Sequence, residues 1–185
     1  MKILGLSGSL RAASVNSMLL RAIQQLAPGD IQFSIAAGLG ELPLFNPDLE
    51  ARLPARVVAF HQAVAAADAL LFASPEYAHG VTGTIKNALD WLVGFEPFAN
   101  KIVAVLNASP RAHHADDALR ETLRTMAAVI IEPASIAIPL LGAGHDESAI
   151  VASTSLAPAI RASLRAIQLA VASRRSTASA EFPLG

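Results

Sequence analysis

Lys2-Ile3-Leu4-Gly5-Leu6-Ser7-Gly8-Ser9-Leu10-Arg11-Ala12-Ala13-Ser14-Val15-Asn16-Ser17 stands near the start of the chain. An apolar run passes here through a hydroxyl-rich, arginine-bearing turn into a helical pattern, and a strand leading into a helix start is where α/β proteins build phosphate sites. Backbone N–H groups and the positive end of the helix dipole point at such a turn. Ser9, Ser14 and Ser17 offer hydroxyls, and Arg11 offers a charge-assisted fork for a phosphate oxygen. Three common loops are excluded by spacing. G-x-x-x-x-G-K-[ST] fails because Ser9 follows Gly8 and the turn has no lysine. G-x-G-x-x-G fails because Gly5 and Gly8 are the only glycines before Gly29, and G-x-S-x-G fails because Ser9 stands where its second glycine belongs. A polar turn with Ser14 as helix N-cap is the plainer alternative, against which Arg11 weighs.

Working outward, short apolar runs alternate with amphipathic stretches, the pattern of a parallel sheet with helical crossovers. The runs predict strands over residues 2–7, 31–36, 68–74, 101–107 and about 133–138. Between them Val15, Leu19, Ala22, Ile23 and Leu26 share one helical face; Val57, His61, Val64 and Ala65 form a second. Ile85, Leu89 and Leu92 make a third, Leu119, Leu123, Met126 and Ile130 a fourth, and Leu156, Ile160, Leu164 and Ile167 the last. Gly38 to Pro54, with three prolines, fits no period and reads as a long structured loop. From about Ala172 the periodicity fades, which predicts one domain over residues 1–172 and a loose tail over 173–185.

The 185 residues suit a single domain. A formal net charge of −1 indicates neither a nucleic-acid footprint nor an acidic carrier surface. No apolar stretch reaches the roughly 18 residues of a membrane helix and no secretory leader is evident, so no membrane association and a cytoplasmic location are expected. With no cysteine, thiolate chemistry and disulfides drop out, and any redox chemistry must come from a bound cofactor. His113-His114 beside Asp116-Asp117 is the one cluster resembling a metal site. Its spacing suits an exposed helix start better, so no metal is expected.

In a doubly wound sheet of order 2-1-3-4-5, the loops leaving strands 1, 3 and 4 share one edge, where ligands sit. Here these are residues 7–17, 74–84 and 107–114. Pro75 stiffens the second loop, leaving the N–H groups of Glu76, Tyr77 and Ala78 to face a planar heterocycle, while Gly80 and Gly83 permit close backbone approach. In the third loop Ser109 and Arg111 can bond a ligand edge or a nucleotide phosphate.

Gly8-Ser9-Leu10-Arg11-x-x-Ser14-x-Asn16 and Pro75-Glu76-Tyr77, with Lys86-Asn87-Ala88-x-Asp90-Trp91 in the next helix, resemble the NAD(P)H-dependent FMN reductase family. The resemblance spans roughly residues 2 to 140. It implies a flavodoxin-like three-layer α/β/α sandwich and an FMN-dependent oxidoreductase. Such an enzyme uses NADPH or NADH as co-substrate and passes electrons to a small acceptor: a quinone, an azo compound, a metal oxyanion or free flavin. It further implies that Ser9, Arg11, Asn16 and Ser17 hold the FMN phosphate, with Ser14 in the same turn. Pro75, Glu76, Tyr77 and Ala78 would then lie against the isoalloxazine edge, and Ser109 would approach from the third loop. The cofactor carries the hydride chemistry, so no catalytic side chain is named. Relatives often have Asn after the tyrosine where this chain has Ala78, and glycine where it has Ser109-Pro110-Arg111. A homodimer or dimer of dimers is also implied, with Trp91, Val93, Phe95 and Phe98 as contacts. Burial of those side chains within one subunit is the other reading. Two rival functions stay open: a non-enzymatic electron carrier, and a flavin-free regulatory module of the same fold.

Overall fold

A computed structural model of the chain describes residues 1–109, 111, 113–140, 144 and 146–181, with the backbone alone over 178–181. Five strands form one sheet: β1 (Lys2–Ser7), β2 (Gln32–Ile35), β3 (Ala69–Ala73), β4 (Ile102–Leu106) and β5 (Val129–Ile130). All pairings are parallel and the order is β2-β1-β3-β4-β5, the flavodoxin-like arrangement. The helices are α1 (Val15–Leu26), α2 (Ala55–Ala66), α3 (Gly83–Asp90), α4 (His113–Thr125), α5 (Glu147–Ala152) and α6 (Leu156–Glu181).

The central strands β3 and β4 are buried at every residue, as their unbroken apolar runs require of a sheet covered on both sides. Alternate side chains feed two cores. Ile3, Leu71 and Leu106 pack with Leu19 and Ile23 of α1, Ile150 of α5 and Ile160 and Leu164 of α6. Leu4, Leu70, Phe72 and Val103 pack with Val57 of α2, Leu89 of α3 and Leu123 of α4. Each fully buried Leu or Ile on these faces contributes about 1.5–3 kcal/mol, far more than helix propensity supplies.

The fifth strand departs from the expected 133–138. Val129 and Ile130 pair with Ile102 and Val103. The chain then leaves the ladder in a single 3-10 turn over Glu132–Ala134, because Pro133 has no N–H to give. The Ser135 hydroxyl takes over by accepting from the Val105 N–H at 3.0 Å. Pairing resumes at Asn107, whose N–H donates to the Ile136 carbonyl at 3.1 Å and whose carbonyl accepts from Ile138 at 2.8 Å. Ile130 therefore belongs to β5 and not to the fourth helical face. α4 is closed before it by Ala127, with φ of 59°. Nor does the last helix stop near Ala172: α6 continues to Glu181. Its end is fastened by polar contacts that apolar periodicity does not register. Arg175 pairs with Asp68 at 2.7 Å and Arg174 donates to the Asn100 carbonyl. Of the tail expected over 173–185, residues 182–185 lie outside the described residues.

Two of the four expected dimer contacts are core residues. Trp91 is 2% exposed and Phe98 1%. The Trp91 indole N–H donates to the Pro43 carbonyl at 2.8 Å, and Asn87 Nδ2 reaches the same oxygen at 3.0 Å while its Oδ1 accepts from Phe45 N–H at 2.8 Å. The Asn87 and Trp91 of the third motif thus clamp the 38–54 loop onto α3. Phe95 is half-buried and stacks on His61 at 4.0 Å, which leaves Val93 as the exposed one.

Candidate functional site

Strand order brings the loops after β1, β3 and β4 to one edge, and between them lies a cavity of about 320 Å³, within the range of small-ligand sites, about 300–1,000 Å³. Its lining includes Ser9, Arg11, Ser14 and Asn16 from the first loop, Ser74, Pro75, Glu76 and Tyr77 from the second, and Ala108, Ser109 and Arg111 from the third. The close approach of the first two loops depends on Gly8. A Cβ there would sit 2.2 Å from Ser74 Oγ, 2.7 Å from Ser74 Cβ and 2.9 Å from Ile85 Cγ1.

The first loop keeps its polar groups in two states. Ser14 caps α1, its hydroxyl accepting from Ser17 N–H at 3.3 Å, and Ser17 Oγ sits 2.8 Å from Ser7 Oγ. Ser17 therefore fastens the loop to β1 and does not line the cavity. By contrast the Arg11 guanidinium has no partner among the described residues. Asn16 is 6% exposed and its Oδ1 is buried without one. The amides of Val15 and Asn16, in the first turn of α1, have no intrahelical acceptor either. An unpaired cation, an unmet amide oxygen and a helix N-terminus on one wall suit a ligand carrying both an anionic group and hydroxyl donors.

On the second loop Tyr77 is 57% exposed at the rim. Glu76 lines the cavity, yet its carboxylate is engaged elsewhere. One oxygen accepts from the Ala115 N–H at 2.9 Å and the other lies 3.0 Å from His79 Nδ1. The Ala115 bond holds the carboxyl below its usual range, with partial burial opposing and His79 reinforcing. Ala78 does not line the cavity. It sits in a tight turn with φ of 50°. In the third loop Ser109 Oγ accepts from the Arg111 N–H at 3.3 Å, and the Arg111 guanidinium, like that of Arg11, has no partner among the described residues. Pro110 lies outside them. Ala13, Val15, Ser74 and Ala108 complete the lining beyond the residues named from sequence, and the positions of the loops themselves are the signal that finds them. No group of three or more His, Asp or Glu able to hold a metal occurs among the described residues, and none of their helices is long and apolar enough to cross a membrane.

A parallel sheet of this order, with a cavity at the switch point of its strands, defines the flavodoxin-like fold. The chain belongs to the NADPH-dependent FMN reductase family, whose model matches residues 1–141. It is 42% identical over 111 residues to an NAD(P)H-dependent FMN reductase of Pseudomonas aeruginosa, covering 58% of this chain and 60% of that one. Over 125 residues it is 38% identical to a quinone reductase of Pseudomonas putida, covering 63% of this chain and 66% of that one. A 2-hydroxy-1,4-benzoquinone reductase from a Burkholderia species is 43% identical over 91 residues, 49% of each chain. The matched stretch thus spans between 49% and 66% of these curated relatives. Among solved structures, a flavoenzyme NAD(P)H:(acceptor) oxidoreductase from Paracoccus denitrificans superposes with a TM-score of 0.79 at 28% identity, covering 91% of this chain and 97% of that one.

Proposed function

We propose that this protein is an FMN-dependent oxidoreductase that takes a hydride from NADPH or NADH and delivers electrons to a small acceptor, a quinone first among the candidates. The observation that carries this is the Arg11 guanidinium, without a partner among the described residues, in a cavity that Pro75, Tyr77 and Ser109 also line. The residues fit the cofactor. Arg11, Ser9 and the first-turn amides of α1 would hold its phosphate, and the buried Asn16 amide would meet a hydroxyl of the ribityl chain. When bound, FMN supplies the hydride-accepting and electron-passing chemistry.

Side chains and backbone do the remaining work. Pro75 and Tyr77 give an apolar wall for a planar ring system, and the Glu76 amide provides a donor where negative charge gathers, the Tyr77 N–H being taken by the Gly80 carbonyl. Arg111 of the third loop places a second cation in the lining for an anionic group of the nicotinamide nucleotide. No group of the site is positioned as a general acid or base, so Glu76 and the histidines are not assigned that part.

The names of the relatives support the choice of quinones, and the use of a pyridine nucleotide as reductant supports a cytoplasmic location. A homodimer or dimer of dimers belongs to this reading through Val93, 67% exposed. A Val93→Glu variant that keeps the wild-type mass by light scattering removes that contact.

Fluorescence titration of the purified protein with FMN, followed by oxidation of NADPH and NADH against quinones, azo dyes and metal oxyanions, tests the whole proposal. The expected result is a yellow protein whose nucleotide oxidation depends on both FMN and an acceptor. A protein that binds FMN but oxidises neither nucleotide is an electron carrier. One that binds no flavin is a module that kept the fold alone.

A further inference from the structure

The second loop ends in a turn whose backbone conflicts with its residues. Tyr77 and Gly80 exchange hydrogen bonds, Tyr77 N–H to the Gly80 carbonyl at 3.2 Å and Gly80 N–H to the Tyr77 carbonyl at 3.0 Å. Between them Ala78 and His79 have φ of 50° and 59°. Positive φ at both central positions makes this a type I′ turn, which favours Asn-Gly, Asp-Gly or Gly-Gly. Alanine and histidine are both strained in the left-handed region. Strain of this kind persists where surrounding contacts over-determine the backbone.

The contacts here converge on Glu76. Its Oε1 lies 3.0 Å from His79 Nδ1. The His79 ring also meets His114 of α4 edge-on, with centroids 4.4 Å apart. Its Oε2 accepts from Ala115 N–H at 2.9 Å. That amide belongs to the first turn of α4, where no intrahelical acceptor is available. One carboxylate therefore ties the tip of the second loop to the element that follows the third loop. Both of those loops line the cavity.

We propose that Glu76 is a positioning residue: through His79 and the Ala115 amide it holds the Tyr77 hairpin and the start of α4 at one separation, and so fixes the width of the cavity between Tyr77 and Ser109. Glu76 thereby acts through the walls and not by touching the ligand. The expected ligand rests on the flavin reading above; the fastening itself does not.

Two measurements on the full chain decide it: amide hydrogen exchange at Ala115 in the flavin-free protein, and titration with FMN. Glu76→Ala is expected to speed Ala115 exchange and weaken FMN binding, each about tenfold or more, as loss of a hydrogen bond to a charged acceptor implies. Glu76→Gln keeps an oxygen for the Ala115 N–H and is expected to stay within about threefold of wild type on both. His79→Gly removes the ring and gives the turn a favoured residue. Its melting temperature is expected not to fall, while Ala115 exchange and the FMN dissociation constant rise about three- to fivefold, the scale of an exposed pair. A merely structural histidine would instead lower the melting temperature and leave flavin affinity alone.

The proposal is overturned if Ala115 exchanges at the wild-type rate in Glu76→Ala, if exchange changes while FMN affinity does not, or if Gln behaves like Ala. Should Glu76→Ala fail to fold, His79→Gly and Glu76→Gln decide on the same readouts. Should wild type bind no FMN, the flavin reading fails, and the fastening stands or falls on Ala115 exchange alone.

Discussion

The two ends of the sheet carry concavities of similar size that use their cations in opposite ways. At the carboxyl ends of the strands, the cavity of about 320 Å³ holds Arg11 and Arg111, neither with a guanidinium partner among the described residues. At the amino ends, a groove of about 350 Å³ is lined by Lys101, Arg174 and Arg175, each engaged by the protein itself. Lys101 donates to the Ala67 carbonyl at 2.8 Å, just past the end of α2. Arg174 reaches the Asn100 carbonyl, and Arg175 pairs with Asp68. Partial burial, with Arg174 adding repulsion, holds the Lys101 ammonium below its usual range. The difference shows that cation count does not locate a ligand site. Cations already engaged by carbonyls and carboxylates fasten elements together, whereas one left unpaired beside a helix N-terminus is available to an incoming anion.

The sharpest way to break this contrast is Arg11→Ala. An exposed guanidinium with no partner among the described residues adds little to folding, so the melting temperature should hold, while FMN affinity should fall ten- to a hundredfold, about 1.5–3 kcal/mol. Unchanged affinity by fluorescence titration would remove Arg11 from the site. Gly8→Ala acts on the same end through shape. The added methyl overlaps Ser74 and Ile85, so about 1–3 kcal/mol of stability should be lost in urea melts, with weaker flavin binding as the loops part.

Arg175→Ala probes the other end. It should leave FMN binding untouched and cost only about 0.2–1 kcal/mol, as exposed pairs do. Its signature is in the pH profile. Burial pushes the Asp68 carboxyl up, but the Lys2 N–H and the Arg175 pair outweigh it, so the folded value lies below the ordinary 3.8. A depressed carboxylate adds stability that is fully present above its unfolded value and lost as pH falls through the folded one. Arg175→Ala should therefore flatten the acid limb of the stability curve below about pH 5. An unaltered limb would show that Asp68 does not depend on its partner.

The smallest effect belongs to Ala78→Asn. Since Ala78 sits in the left-handed region and off the cavity lining, asparagine should recover part of the roughly 1–2 kcal/mol that such backbone costs, raising the melting temperature with FMN affinity unchanged. Tighter binding instead would mean that asparagine reaches the ring rim.

The amino-acid sequence by itself determined the first four strands of the sheet and the address of the site. Unbroken apolar runs at 69–73 and 102–106, short and rich in strand-forming residues, read as buried strands, and the hydroxyl-rich turn with Arg11 follows the first strand wherever the others pair. Local chemistry carries that information, because periodicity and turn composition are properties of neighbouring residues. What only the tertiary structure decided depends on partners distant in the chain. The Glu76 carboxylate, on a residue whose backbone N–H is read as facing the ring, accepts from an amide 39 residues away. Ser17, read as a phosphate ligand, is taken by Ser7 ten residues back. Trp91 is taken into the core by a loop carbonyl 48 residues away. β5 forms at 129–130 because Pro133 interrupts a ladder whose register is set by β4. A polar side chain shows in sequence what it can bond, and folding decides which of those bonds is left for a ligand.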